Sequence, residues 1–210
     1  MIATIFDMDG VLVKNAHFHE RAFLEYFSQY GIVLEPEMHG RGNNELMKEL
    51  FPNKSDEERQ QLSEEKEAYY RKIYSPHIKP AAGLIELLNS LKKEKVLIAV
   101  GSSAPQVNID FVLDRLNIRK YFDAIIGAAI VKQAKPAPDI YLKAAEVLNV
   151  TPSNCLVFED AIAGIESAKA AGMKVVGLAT TLPKEKLKNT DCIIDDFTQI
   201  SFNKIKQLIS

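Results

Sequence analysis

Five short apolar runs punctuate the chain: IATIF (2–6), KVLIAV (95–100), AIIG (124–127), CLVF (155–158) and KVVGLA (174–179). Each run is continuous rather than alternating, the pattern of a strand buried on both faces. From Leu84 onward they alternate with segments whose apolar positions recur at helical spacing. Helices are therefore expected from Leu84 to about Lys93 and from Pro105, Pro138 and Ala161. Strand and helix in repetition call for right-handed crossovers and a parallel sheet. The expected fold class is α/β, a doubly wound parallel sheet.

One region breaks the alternation. Phe18, Ala22, Phe23, Tyr26, Phe27 and Tyr30 fall at helical spacing, and Gly31 ends the run. A second helical stretch covers 45–51, and Ser55 with Glu58 makes a capping-box pattern that opens a strongly charged helix reaching about Tyr74. No strand-like run occurs there, and Pro76, Pro80 and Gly83 punctuate its end. Residues 15–80 are therefore expected to be an all-helical domain inserted after the first strand, with 1–14 and 81–210 as the core. The charged stretch 55–72 reads as a solvated helix face, and Phe27 with Tyr30 and Tyr69 with Tyr70 as helix core.

A chain of 210 residues can bury one sizeable core and carry a small insert. With 47% hydrophobic and 26% charged residues and a net charge of -2, there is no electrostatic case for a nucleic acid or membrane partner, so any phosphate binding must be local. No apolar run reaches the ~18 residues of a membrane span, and Met1 leads straight into the first strand, so a cytoplasmic protein without signal or transit peptide is expected. Cys155 and Cys192, each in an apolar strand-like run (CLVF and CIID), are expected to be reduced.

Ligands of a parallel sheet bind beyond the carboxyl ends of its strands. The first run stops there at Asp7 and Asp9, which project to one side of an extended chain. Two like charges in one small volume need a cation or a shared proton. Gly10 supplies a sharp turn. The second run ends at Ser102 and the fourth at Glu159 and Asp160, so four carboxylates crowd one rim. Hard oxygen ligands suit Mg2+, and with no Cys or His beside these strand ends a softer metal is not expected. Lys135 lies in KQAKPAPD, stiffened by Pro136 and Pro138. Taken singly, these features also fit an acidic turn, a helix cap and a surface lysine.

Their order together carries more. DMDGV at the first strand end, a serine at the second, a proline-flanked lysine and VFED after a further strand resemble the haloacid dehalogenase superfamily of phosphotransferases from end to end. The resemblance implies a Rossmann-like core with the helical insert as a small cap domain. DMDGV, His19, KPAPDIY and the ED-x-x-x-G motif (159–164) are similar to the branch containing β-phosphoglucomutase and small sugar-phosphate phosphatases. It further implies that Asp7 is a nucleophile forming an aspartyl-phosphate and Asp9 the general acid and base. Asp7, Asp160, Glu159 and the Asp9 carbonyl would hold Mg2+, while Lys135 and Ser102 bind the transferring oxygens. Asp9 speaks against carbon–halogen cleavage, which has no leaving alkoxide to protonate.

The chain departs from the mutase pattern in three places. Gly40-Arg41-Gly42-Asn43 has Asn43 where the mutase carries the arginine for a second phosphate, with Arg41 near but out of register. Ser102-Ser103-Ala104-Pro105-Gln106 replaces a Ser-x-Ser-Lys-Asn run, and Lys14-Asn15 replaces an Asp-Thr or Asp-Ser pair. His19 matches a cap-hinge histidine, its other reading being a helix histidine beside Phe18 and Phe23, while His17, His39 and His77 read as surface or packing residues. The substrate-side candidates are His19, Arg41, Asn43 and Ser103. The expected activity is Mg2+-dependent hydrolysis of a small phosphorylated metabolite, above all a sugar phosphate, by a monomer or weak dimer. The rival readings are a phosphosugar mutase and a non-catalytic phosphate-sensing or partner-binding protein.

Overall fold

The computed structural model describes residues 1–32 and 43–210, the side chains of 43–45 excepted. The chain divides into two compact units, Met1–Lys14 with Lys79–Ser210, and Asn15–Ile78. The smaller unit contains α1 (Ala16–Phe27), α2 (Asn43–Leu50) and α3 (Asp56–Tyr74). On α1, Phe18, Ala22, Phe23 and Phe27 are buried, the face that their spacing predicts. Phe23 and Phe27 pack with Leu46, Met47 and Leu62 into a small core. Ser55 caps α3 reciprocally: its hydroxyl accepts from the Glu58 N–H at 3.2 Å, and its own N–H donates to Glu58 Oε2 at 2.8 Å. One expectation is corrected on this helix. Ser63, Lys66 and Glu67 are buried, although the charge run reads as a solvated face; Lys66 Nζ pairs with Glu67 Oε1, so neither charge is buried alone.

In the larger unit, six strands form one parallel sheet among the described residues: β1 (Ala3–Phe6), β2 (Leu97–Gly101), β3 (Ala124–Ile126), β4 (Cys155–Glu159), β5 (Lys174–Leu178) and β6 (Cys192–Ile194). Their order is β3-β2-β1-β4-β5-β6, so the direction of winding reverses between β1 and β4. Such a switch point opens a crevice at the carboxyl edge. Around the sheet run α4 (Leu84–Lys93), α5 (Gln106–Arg115), α6 (Asp139–Leu148), α7 (Ile162–Ala170) and α8 (Phe202–Ile209). Ala3 and Ile5 of β1 share one core cluster with Tyr141 and Ala144 of α6 and Ile165 and Ala168 of α7. Phe6 alternates to the other face, stacked on Phe158 at 4.7 Å between ring centres with Phe197 at 5.8 Å. Cover on both faces is why the first run is apolar at every position but the buried Thr4. Cys155 and Cys192 are free thiols, and burial pushes the Cys155 thiol up to about 11. Among the described residues no helix is long and apolar enough to cross a membrane.

Candidate active site

The β1 ladder continues one residue past the strand, where the Asp7 N–H donates to the Phe158 carbonyl at 3.0 Å. Asp7 is thereby held at the carboxyl edge beside the end of β4. The chain then turns sharply. Leu12 N–H reaches back to the Met8 carbonyl at 2.9 Å, and Gly10 N–H donates to the Val13 carbonyl at 2.8 Å. Gly10 adopts φ of 79°, and a β-carbon there would overlap the Asp160 carboxylate. At the end of β4, Glu159 Oε2 accepts from the N–H groups of Asp160 at 2.9 Å and Ala161 at 3.1 Å. Gly164 on α7 leaves room for this carboxylate, since a β-carbon at 164 would overlap it.

Asp7, Glu159 and Asp160 are all buried, and one oxygen from each lies within 4.8 Å of the others. Lys135, from the loop before α6, donates to Asp7 Oδ1 at 2.7 Å and to Glu159 Oε1 at 2.6 Å. Tyr141 Oη donates to the same Glu159 oxygen at 2.7 Å, and Lys135 Nζ stands 4.8 Å from the centre of the Tyr141 ring. One lysine thus faces three carboxylates. Burial pushes the Asp7 carboxyl well above its ordinary value against the pull of Lys135, with Glu159, Asp160 and Asp9 adding to the rise. Burial and then Glu159 push Asp160 up to about 7. Burial also works against charge on Lys135, but Asp7 and Glu159 outweigh it and its pKa is raised. Uncompensated negative charge on carboxylate oxygens fits a hard divalent cation such as Mg2+.

The sign of the Asp160 shift makes a prediction about the metal-free protein. A carboxyl group whose folded pKa lies above the unfolded value of about 4 stabilises fully below that value. This contribution is lost as pH rises through about 7. Thermal melts in chelator should fall across that interval, and Asp160→Asn should flatten the slope. Melting temperatures that climb with pH there would contradict this account of the charges.

The remaining candidates are dispersed. Asp9 is half-buried in the turn, where it bridges to Val13 and adds to the rise at both Asp7 and Asp160. Ser102, buried just beyond β2, donates its N–H to the Ile126 carbonyl at 3.0 Å, and its hydroxyl accepts from Ala104 N–H at 3.1 Å; Ser103 is exposed. His19 is half-buried on α1, its ring 3.8 Å from that of Tyr70, and its Nε2 lies 3.3 Å from Asn15 Nδ2. Asn15 Nδ2 also donates to Tyr70 Oη at 2.7 Å. Arg41, His39 and the side chain of Asn43 lie outside the described residues. Three further polar partners complete the site. Besides Tyr141 they are Thr181, whose hydroxyl donates to Asp160 Oδ2, and Thr180, whose hydroxyl donates to the Gly10 carbonyl at 2.6 Å. Of these, only the tyrosine was findable, as a phenol on an otherwise apolar helix face inside KPAPDIY.

A family model described as "Haloacid dehalogenase-like hydrolase" matches residues 4–178. The chain is 34% identical over 192 residues to the "Phosphorylated carbohydrates phosphatase" of Thermotoga maritima, covering 87% of each. It is 33% identical over 215 residues to the chloroplastic protein Suppressor of Quenching 1 of Arabidopsis thaliana, with 97% of this chain aligned but only 20% of that protein's length. The crystal structure of β-phosphoglucomutase from Clostridium difficile superposes with a TM-score of 0.88 at 31% identity, covering 100% of this chain and 97% of that one.

Proposed function

This chain belongs to the haloacid dehalogenase-like hydrolases, and from that premise we propose a Mg2+-dependent phosphatase acting on a small phosphorylated metabolite, specifically a sugar phosphate. The observation that supports this most is Lys135, seated on Asp7 and Glu159 in a buried cluster that also contains Asp160. An ammonium in that position favours the ionised form of Asp7 against its burial, as a nucleophile requires. The Asp7 oxygen attacks phosphorus and the bond to the leaving alkoxide breaks, giving an aspartyl-phosphate. Asp9 gives its proton to that alkoxide and then takes one from the water that splits the intermediate, a role worth about 10² to 10⁴-fold. Lys135 and Ser102 bind the transferring oxygens. When bound by Asp7, Glu159, Asp160 and the Asp9 carbonyl, Mg2+ would neutralise phosphoryl charge. In the same proposal residues 15–80 are the cap domain, His19, Arg41, Asn43 and Ser103 are substrate-side residues, and the protein is a cytoplasmic monomer or weak dimer.

The similarity to β-phosphoglucomutase keeps a mutase as the second reading. Against it, Asn43 stands where the second phosphate would need an arginine and Pro105 where it would need a lysine. A charge-assisted contact of that kind contributes about 1.5 to 3 kcal/mol. Given β-glucose 1-phosphate and glucose 1,6-bisphosphate, together with a panel of sugar monophosphates, the protein is expected to release inorganic phosphate from some monophosphates faster than it forms glucose 6-phosphate. Many turnovers to glucose 6-phosphate for each phosphate released would give the assignment to the mutase.

A further inference from the structure

Two adjacent hydroxyls beyond β5 engage both halves of the acidic cluster. Thr180 Oγ1 donates to the Gly10 carbonyl at 2.6 Å, across 170 positions of sequence, and Thr181 Oγ1 donates to Asp160 Oδ2. Gly10 lies in the turn that carries Asp9, and Asp160 directly follows β4, so one short loop pins the chain beyond both strands. The packing is close here as well, for a β-carbon on Gly10 would lie 2.8 Å from Thr181 Oγ1. Asp160 is buried whereas Thr181 is exposed.

We propose that Thr180 and Thr181 are positioning residues for the divalent cation. A carboxylate has a soft terminal torsion, and a hydroxyl bound to one of its oxygens sets the plane in which the other is presented. Thr181 does this for Asp160. Thr180 does the equivalent for the backbone, holding the turn in which the Asp9 carbonyl is presented. Neither threonine touches the cation; each removes freedom that its ligand would otherwise lose on binding. The inference rests on reading Asp160 as a Mg2+ ligand.

The test is a calorimetric titration of Mg2+ into the full chain, with thermal melts in chelator alongside. Thr181→Val keeps the shape and removes the donor, and is expected to weaken Mg2+ binding about 10- to 100-fold, the usual effect of losing an outer partner of a metal ligand. Thr181→Ser should keep the wild-type affinity, and Thr180→Val should also bind Mg2+ more weakly. In the metal-free protein Thr181→Ser should melt as the wild type does, whereas Thr181→Val should melt lower above pH 7, where the Asp160 carboxylate loses its hydroxyl donor. Asp160→Asn in the same titration separates the two levels of the argument. If it loses affinity while Thr181→Val and Thr180→Val do not, the positioning role is overturned and the metal reading stands. If Asp160→Asn binds Mg2+ as well as the wild type, the metal reading falls and this inference with it. A loss in Thr181→Val that Thr181→Ser shares would overturn the hydroxyl as the cause.

Discussion

The Asp7→Asn protein is expected to fold at least as stably as the wild type and to hydrolyse phosphate esters at least ~10⁴-fold more slowly, because the covalent route itself is gone. The two halves of this expectation have different causes. An amide cannot attack phosphorus to give an acyl phosphate, so no residual pathway through position 7 remains. Its oxygen can still accept from Lys135, and its size matches the carboxylate, so the packing survives. Burial and the neighbouring Glu159, Asp160 and Asp9 all disfavour charge on Asp7, and a neutral side chain relieves that repulsion. Phosphate release, measured beside a thermal melt, checks both halves. Wild-type turnover in a folded Asp7→Asn protein would end the aspartyl-phosphate mechanism.

Gly10→Ala should be the most damaging single-carbon change near the site. At φ of 79° any L-residue other than glycine is strained, costing about 1 to 2 kcal/mol. The added carbon would also overlap the Asp160 carboxylate and crowd Thr181 Oγ1, neither of which has an alternative seat without leaving its partner. A lower denaturant midpoint and weaker Mg2+ binding are both expected. An alanine variant with wild-type stability and unchanged Mg2+ titration would show that the turn relaxes, contrary to the packing described.

The parallel sheet was legible because its strands are covered on both faces, which leaves uninterrupted apolar runs with no competing helical reading. The burial of Phe6 against Phe158 and of Ile5 against the α6 and α7 side is that same signal in three dimensions. The capping box at Ser55 and Glu58 was legible for another reason: it is a local hydrogen-bond exchange needing no distant partner. The helix α8 was not anticipated. It is short and follows β6 closely, though Ser201 as N-cap and the buried Ile205 are visible afterwards. Burial of Lys66 and Glu67 leaves no mark in the sequence, because a charged pair of neighbours resembles a solvated face until tertiary packing covers it. At the site, Asp7, Glu159, Asp160 and Lys135 could be named from spaced motifs. Tyr141 lies inside KPAPDIY, whereas Thr180 and Thr181 are isolated polar side chains that only the fold brings to their acceptors.

The position of β1 has a consequence for how the protein is made. Ala3 pairs with Leu97 on one side and with Cys155 on the other, so the first of the six strands to be synthesised lies in the middle of the sheet. It has no sheet neighbour until β2 is made, by which point residues 15–78, a compact unit of their own, have been synthesised. Until β4 has been synthesised, Asp7 has no Glu159 or Asp160 beside it and no backbone partner at Phe158. A nascent or prematurely terminated chain lacking β4 therefore carries Asp7 and Asp9 but neither Glu159 nor Asp160. The acidic cluster is completed in one late step of synthesis, with the strand that closes the gap between β1 and β5.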